Sequence, residues 1–280
     1  MSDSNSSPAN RPIAIFDSGL GGLTVARAVA SLLTRENIIY FGDTARVPYG
    51  TKSERTIRRY AVEDVNFLLR FEPKLVVVAC NTVSAIAMDH LRGTFRVPLI
   101  GVVEPGARAA VRAAGRGKVG IIGTEATIAS GAYQRAVRNL DGGIEILALP
   151  TPLLAPIVEE GREWDDPVVT AALRGYLAPF RDAWVNALVL GCTHYPVLKE
   201  AVRREMGDEV TVVDSAEETA AEVKRFLCDK EMLCDTPSFP QRRFFVSDSS
   251  QRFLSIGRRF FGADLVNVRE ISPDEFFFQK

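Results

Sequence analysis

The chain has no long apolar run. None of its hydrophobic stretches approaches the roughly 20 residues a membrane helix requires, so no membrane partner is expected. Net charge is nearly absent too: 34 basic residues stand against 35 acidic ones, a balance of −1. Nothing global attracts nucleic acid or an anionic lipid surface, and no nucleic-acid partner is expected. Cysteine is sparse, with 4 in 280 residues. The opening residues 1–10 are polar and Ser/Asn-rich, without the apolar core of a signal peptide, and read as a disordered tail. A disulfide framework is therefore not expected, and a reducing cytoplasm fits best. Histidine is rarer still, limited to His90 and His194. No Walker loop, dinucleotide fingerprint or Cys-x-x-Cys chelate occurs, so nucleotide and zinc chemistry lose their usual sequence support.

What is present is an alternation of strand-length apolar runs with helical patterns, almost from end to end. Strand-like runs fall at 12–16, 37–42, 75–79 and 99–103, each followed by helical spacing. In 53–70, for example, Ile57, Tyr60, Ala61, Val65, Leu68 and Leu69 recur on one face. The pattern restarts at 119–123 and runs through 144–149, 187–190 and 210–213. Further strand–helix units follow near 243–246 and 265–268. Such order predicts an α/β fold with mainly parallel sheets covered by helices. The restart predicts two pseudo-symmetric α/β domains facing a central cleft. Asp17 precedes Cys80 by 63 residues, and the similarly placed Gly123 precedes Cys192 by 69. Those intervals are too long for a solenoid repeat and similar enough for a duplication.

Two segments carry the duplication most clearly. Lys74-Leu75-Val76-Val77-Val78-Ala79-Cys80-Asn81-Thr82 and Asn186-Ala187-Leu188-Val189-Leu190-Gly191-Cys192-Thr193-His194 each run from a buried strand into a cysteine. A helical pattern follows both. A cysteine at the exit of a parallel strand sits where α/β folds place their chemistry. The helix start stabilises thiolate over thiol and can lower the pKa from its usual value of about 8.5. Asn81, Thr82 and Thr193 supply groups that could grip the ammonium and carboxylate of an amino acid. His194, two residues from Cys192, could exchange a proton with it. Two further loops lie at the same sheet edge. Phe16-Asp17-Ser18-Gly19-Leu20-Gly21-Gly22 offers glycine amides and a carboxylate, and Gly42-Asp43-Thr44-Ala45-Arg46-Val47-Pro48-Tyr49-Gly50 offers Tyr49 and its neighbouring amides. Either loop alone also fits an ordinary turn.

Three chemistries compete for these residues. Cys80, Cys192, His194 and a carboxylate could ligate zinc, but no chelating pair would nucleate the site. A Cys-His hydrolase would use one cysteine with His194 as base, leaving the duplicated cysteine without a role. Acid–base catalysis by two sulfurs uses both. Inverting a stereocentre means removing a proton from one face and delivering one to the other. One thiolate and one thiol, supplied by the two halves, meet that need by position. No pyridoxal-type lysine context is evident, so neither a metal nor an organic cofactor is expected. A two-lobed amino-acid receptor would share the cleft but would not need the sulfurs.

Together these motifs, with Gly101-Val102-Val103-Glu104-Pro105-Gly106 and Gly191-Cys192-Thr193-His194-Tyr195-Pro196, resemble those of the glutamate racemases, in the same order from about Ile13 onward. The resemblance implies cofactor-independent interconversion of L- and D-glutamate, supplying D-glutamate for peptidoglycan. Aspartate racemase is the nearest rival within that superfamily. It implies a discontinuous first domain of residues 11–100 and 212–275, and a second of 101–211. Cys192 would take the α-proton of L-glutamate and Cys80 that of D-glutamate, assisted by His194 and Asp17 respectively. Asp17, Ser18, Tyr49, Gly50, Asn81, Thr82, Thr193 and His194 would line the substrate pocket, with Glu159 as a further carboxylate. A homodimer is compatible with it. Two departures stand out: Val83 where Ala usually follows Cys-Asn-Thr, and Thr151 where a Cys is common before Pro152.

Overall fold

A computed structural model describes residues 7–234, 240–272 and 275–276. Ten strands are present among them: β1 (Ile13–Asp17), β2 (Ile38–Gly42), β3 (Leu75–Val78), β4 (Leu99–Gly101), β5 (Val119–Gly123), β6 (Ile146–Pro150), β7 (Ala187–Gly191), β8 (Thr211–Asp214), β9 (Arg242–Val246) and β10 (Val268–Glu270). They form two sheets, of order β10-β9-β2-β1-β3-β4 and β6-β5-β7-β8. Every pairing is parallel. The central strands are continuous runs of apolar side chains because helices cover both faces of a parallel sheet. All residues of β1, β2, β3, β5 and β7 are accordingly buried.

The duplication is a property of the topology. The subset β2-β1-β3-β4 has the same order as β6-β5-β7-β8. Ile13 of β1 faces Leu75 of β3, as Val119 of β5 faces Ala187 of β7. Cys80 and Cys192 therefore leave equivalent strands in two similar lobes. The helix Ser215–Asp229 packs on Leu23–Leu32 of the six-stranded lobe and on Val103–Ala114, and so joins the lobes along one side.

Several expected boundaries moved. The crossing expected between 211 and 212 falls inside β8, which pairs with β7 from Ala187↔Thr211 to Leu190↔Asp214. The helix expected over 83–91 breaks at Ala87, whose backbone ends Asn81–Ile86 and starts Met88–Thr94. That expected over 127–140 divides at Gly131, whose φ of +66° no continuing helix tolerates. Pro196 lies in a 3-10 turn, Tyr195–Leu198, that precedes the helix Lys199–Met206. The last strand lies at 268–270, because Leu265 turns into the core instead.

Order also begins earlier than the expected tail allows. Pro8–Asn10 forms a 3-10 turn with Ser7 as its cap, while residues 1–6 lie outside the described residues. Lys74, at the entrance to β3, fixes this segment. Its buried ammonium donates to Ala9 O and Met232 O and pairs with the buried carboxylate of Glu36 at 2.5 Å. Removing one partner of a buried pair strands the other charge. Lys74→Met should lower unfolding free energy by about 3–5 kcal/mol in urea titration. Adding Glu36→Leu should recover most of that loss; a double variant no more stable than Lys74→Met would contradict this account.

Candidate active site

In the order 2-1-3, the chain leaves the carboxyl ends of β1 and β3 toward opposite faces of the sheet, opening a crevice between them. Both lobes have that crevice, and each places a cysteine at it. Cys80 follows β3 and caps the helix Asn81–Ile86, with its carbonyl accepting from Ser84 N at 2.8 Å. Its thiol donates to Ser18 Oγ at 3.5 Å. Cys192 follows β7 directly, and its sulfur lies 3.8 Å from His194 Nδ1. Only 5% of Cys80 and 6% of Cys192 is exposed, so solvent does not compete freely for either sulfur.

Both cysteines line one cavity of about 480 Å3. Ser18, Tyr49, Gly50, Asn81, Thr82, Glu159, Thr193 and His194 line it as well. The expected residue outside the lining is Asp17. It is wholly buried behind the wall, where Oδ2 accepts from Gly19 N at 2.9 Å and Oδ1 from Thr193 Oγ1 at 3.3 Å. Its influence reaches the cavity through Thr193 and through its field on Cys80. Tyr49 contributes ring and backbone rather than its hydroxyl, which is turned to Asp43 and Asp64 beneath the loop. The guanidinium of Arg46 ties those same carboxylates together.

Asn81 leaves one polar group open at the cavity wall. Its Oδ1 accepts from Tyr133 OH at 2.6 Å, yet its buried Nδ2 has no partner among the described residues. A buried donor without an acceptor is uncommon, and here it belongs to a side chain on the cavity. Thr82 meets Thr124 and Thr127 in a triangle of hydroxyls at 2.8–3.3 Å. Thr124 had a signal in the sequence, since it follows β5 as Ser18 follows β1. Arg252 had none. It lines the cavity from the helix Ser250–Phe261, more than 50 residues beyond the last motif at the site.

The electrostatics differ at the two sulfurs. Burial, then the charge of Asp17, pushes the Cys80 thiol up to about 12, against Ser18 and the Val83 amide, which favour the thiolate. The helix start expected to lower it is outweighed, and Cys80 is a thiol at neutral pH. Burial alone would lower His194, but its bonds to Cys192 and to Glu159 push it up to about 10. His194 Nε2 lies 2.8 Å from Glu159 Oε1. Burial opposes ionisation of Glu159, but the bond and charge of His194, with Arg252, hold its carboxyl below the usual range. Asp17 is raised by burial, opposed by His194, the Gly19 and Gly22 amides and Thr193. Among the described residues, no three His, Cys, Asp or Glu side chains group as metal ligands would. No helix among them is long and apolar enough to cross a membrane.

Fold and site thus define a two-lobed α/β enzyme with a thiol from each lobe at a shared cavity. A model of the Asp/Glu/hydantoin racemase family matches residues 23–223, and the chain belongs to that family of isomerases. It is 47% identical over 263 residues to the glutamate racemase of Geobacter metallireducens, covering 94% of this chain and 97% of that one. The glutamate racemase of Thermus thermophilus, solved with β-chloro-D-alanine, superposes with a TM-score of 0.86 at 46% identity, covering 96% of this chain and 100% of that chain. That of Francisella tularensis, solved with D-glutamate, gives 0.88 at 37% identity, covering 94% and 98%.

His194 titrates above the ordinary histidine value of 6.5, so its share of folding stability is present below 6.5 and is lost as pH rises through about 10. Imidazole NMR shifts should show it still protonated at pH 8. Glu159→Gln should move the midpoint toward neutrality; an unchanged midpoint would remove Glu159 as its partner.

Proposed function

We propose that the protein interconverts L- and D-glutamate by proton transfer between two cysteines, with neither metal nor organic cofactor taking part. The observation that carries this reading is the pair of sulfurs, delivered to one cavity by equivalent strands of two similar lobes. A racemase must act on both faces of the α-carbon, and two groups at fixed positions do so without moving the substrate. Cys192, beside the His194–Glu159 pair, is assigned the α-proton of L-glutamate. Cys80, protonated at rest, returns a proton to the other face; for D-glutamate the roles exchange. Ser18, Asn81, Thr82 and Thr193 are assigned the polar ends of the substrate, together with the Tyr49–Gly50 backbone. Asp17 acts on this set by orienting Thr193.

The carbanion formed between the two steps needs stabilisation by fixed donors and charges in a site that excludes water. That stabilisation is assigned to the partnerless Asn81 amide and the charged imidazole of His194. Read by sheet membership, one domain holds β1–β4 with β9 and β10, and the other holds β5–β8. The reading places the protein in the cytoplasm, where thiols stay reduced and D-glutamate enters peptidoglycan synthesis.

Incubation with L-glutamate in deuterated water should put deuterium on the α-carbon as optical rotation decays. Cys80→Ala and Cys192→Ala should each lower racemisation by about 1000-fold or more, because each enantiomer needs both groups and one positioned acid–base group contributes about 100- to 10,000-fold. Full activity in either variant would remove the mechanism. Turnover of aspartate faster than glutamate would assign the rival substrate.

A further inference from the structure

The cavity presents more acid than base. Glu125, Glu159 and Glu160 reach it, while Arg252 is the one arginine or lysine among its described lining residues. Glu159 is committed to His194, and Glu160 pairs with Arg162 at 3.0 Å. The Arg252 guanidinium forms no ion pair or hydrogen bond among the described residues, although its field reaches Glu159. Its backbone is nonetheless fixed. Phe253 beside it is buried, and Arg259 on the same helix donates to Val158 O at 3.0 Å and Arg162 O at 2.9 Å. A rigid helix therefore holds an exposed, uncommitted cation at the rim of an acidic cavity.

We propose that Arg252 captures the substrate: it draws the amino-acid dicarboxylate past a rim that also carries the Glu125 carboxylate, and takes no part in proton transfer. The inference rests on the glutamate reading above. Glutamate carries two carboxylates and one ammonium, so it approaches as an anion, and the Glu125 carboxylate at the mouth repels it. A single cation at the mouth reverses the local potential and raises the encounter rate. Added salt screens that attraction, over a Debye length of about 8 Å at physiological ionic strength.

The test compares Arg252→Gln and Arg252→Lys with Arg258→Gln, an exposed arginine of the same helix that does not line the cavity. At low salt Arg252→Gln should lower kcat/KM for glutamate about five- to tenfold, with kcat within about twofold. The deficit should shrink toward unity near about 0.5 M salt. Arg252→Lys should restore capture, and Arg258→Gln should match the unsubstituted protein. An Arg252→Gln variant with unchanged kcat/KM at low salt would overturn the proposal, as would a deficit that salt leaves untouched. A loss in kcat with a displaced pH profile would also overturn it, by showing action through Glu159 and His194. Failure of the glutamate reading is separable, because the unsubstituted protein would then not racemise glutamate, and the proposal would fall with it.

Discussion

Gly21 packs so tightly against the other lobe that a methyl group there would sit 2.3 Å from Thr193 Oγ1 and 2.5 Å from His194 Nδ1. Thr24 adds a hydrogen bond to Thr193 O at 3.1 Å. The loop after β1 thus holds the Cys192 loop. The converse holds as well: Thr124 and Thr127, after β5, bond Thr82 beside Cys80, and Gly50 leaves room only for the Thr124 side chain. Each lobe therefore fixes the cysteine loop of the other. Placement of either sulfur relative to a shared carbon depends on both clasps, because neither lobe alone determines where its own thiol points. Two-sided proton transfer tolerates little displacement, so this reciprocal packing is the constraint beneath the rest of the site.

Position is duplicated but charge is not. Cys80 has a hydroxyl partner in Ser18 and a buried carboxylate, Asp17, close enough to disfavour its thiolate. Cys192 has an imidazolium, itself held by Glu159. Here Asp17 is made to serve both halves at once. It opposes ionisation of Cys80 while accepting from Thr193 and attracting the charge of His194 across the interface. Burial first, and the Asp17 charge second, keep the proton on Cys80 before any substrate arrives.

Most of the fold was legible because buried parallel strands are nearly continuous apolar runs, and the motif loops fall at their carboxyl ends. The errors have physical causes. Gly131 and Ala87 interrupt helices whose apolar spacing carries on unbroken, since periodicity records which face is buried and not whether the backbone turns. The two departures from the family pattern also have local explanations. Thr151 donates to Tyr195 OH at 2.8 Å and its carbonyl accepts from the same hydroxyl, a pairing that a thiol would make more weakly. Val83 is fully buried in the core behind Cys80.

The part that no local pattern announced is the contribution of the C-terminal return. Between β9 and β10 the chain supplies the helix Ser250–Phe261. Phe260 of that helix meets the His194 ring edge-on at 5.5 Å, and Arg259 bonds the carbonyls of Val158 and Arg162 on either side of Glu159. The aromatic contact limits rotation of the imidazole, and the guanidinium fixes the segment that carries its carboxylate partner. A helix bounded by strands of the six-stranded sheet thus braces the His194–Glu159 pair of the four-stranded lobe. None of its residues needs to touch a substrate to do so, which is why their side-chain types carried no chemical signature in the sequence. Their role exists only once β9 pairs with β2 and brings the chain back across the cleft.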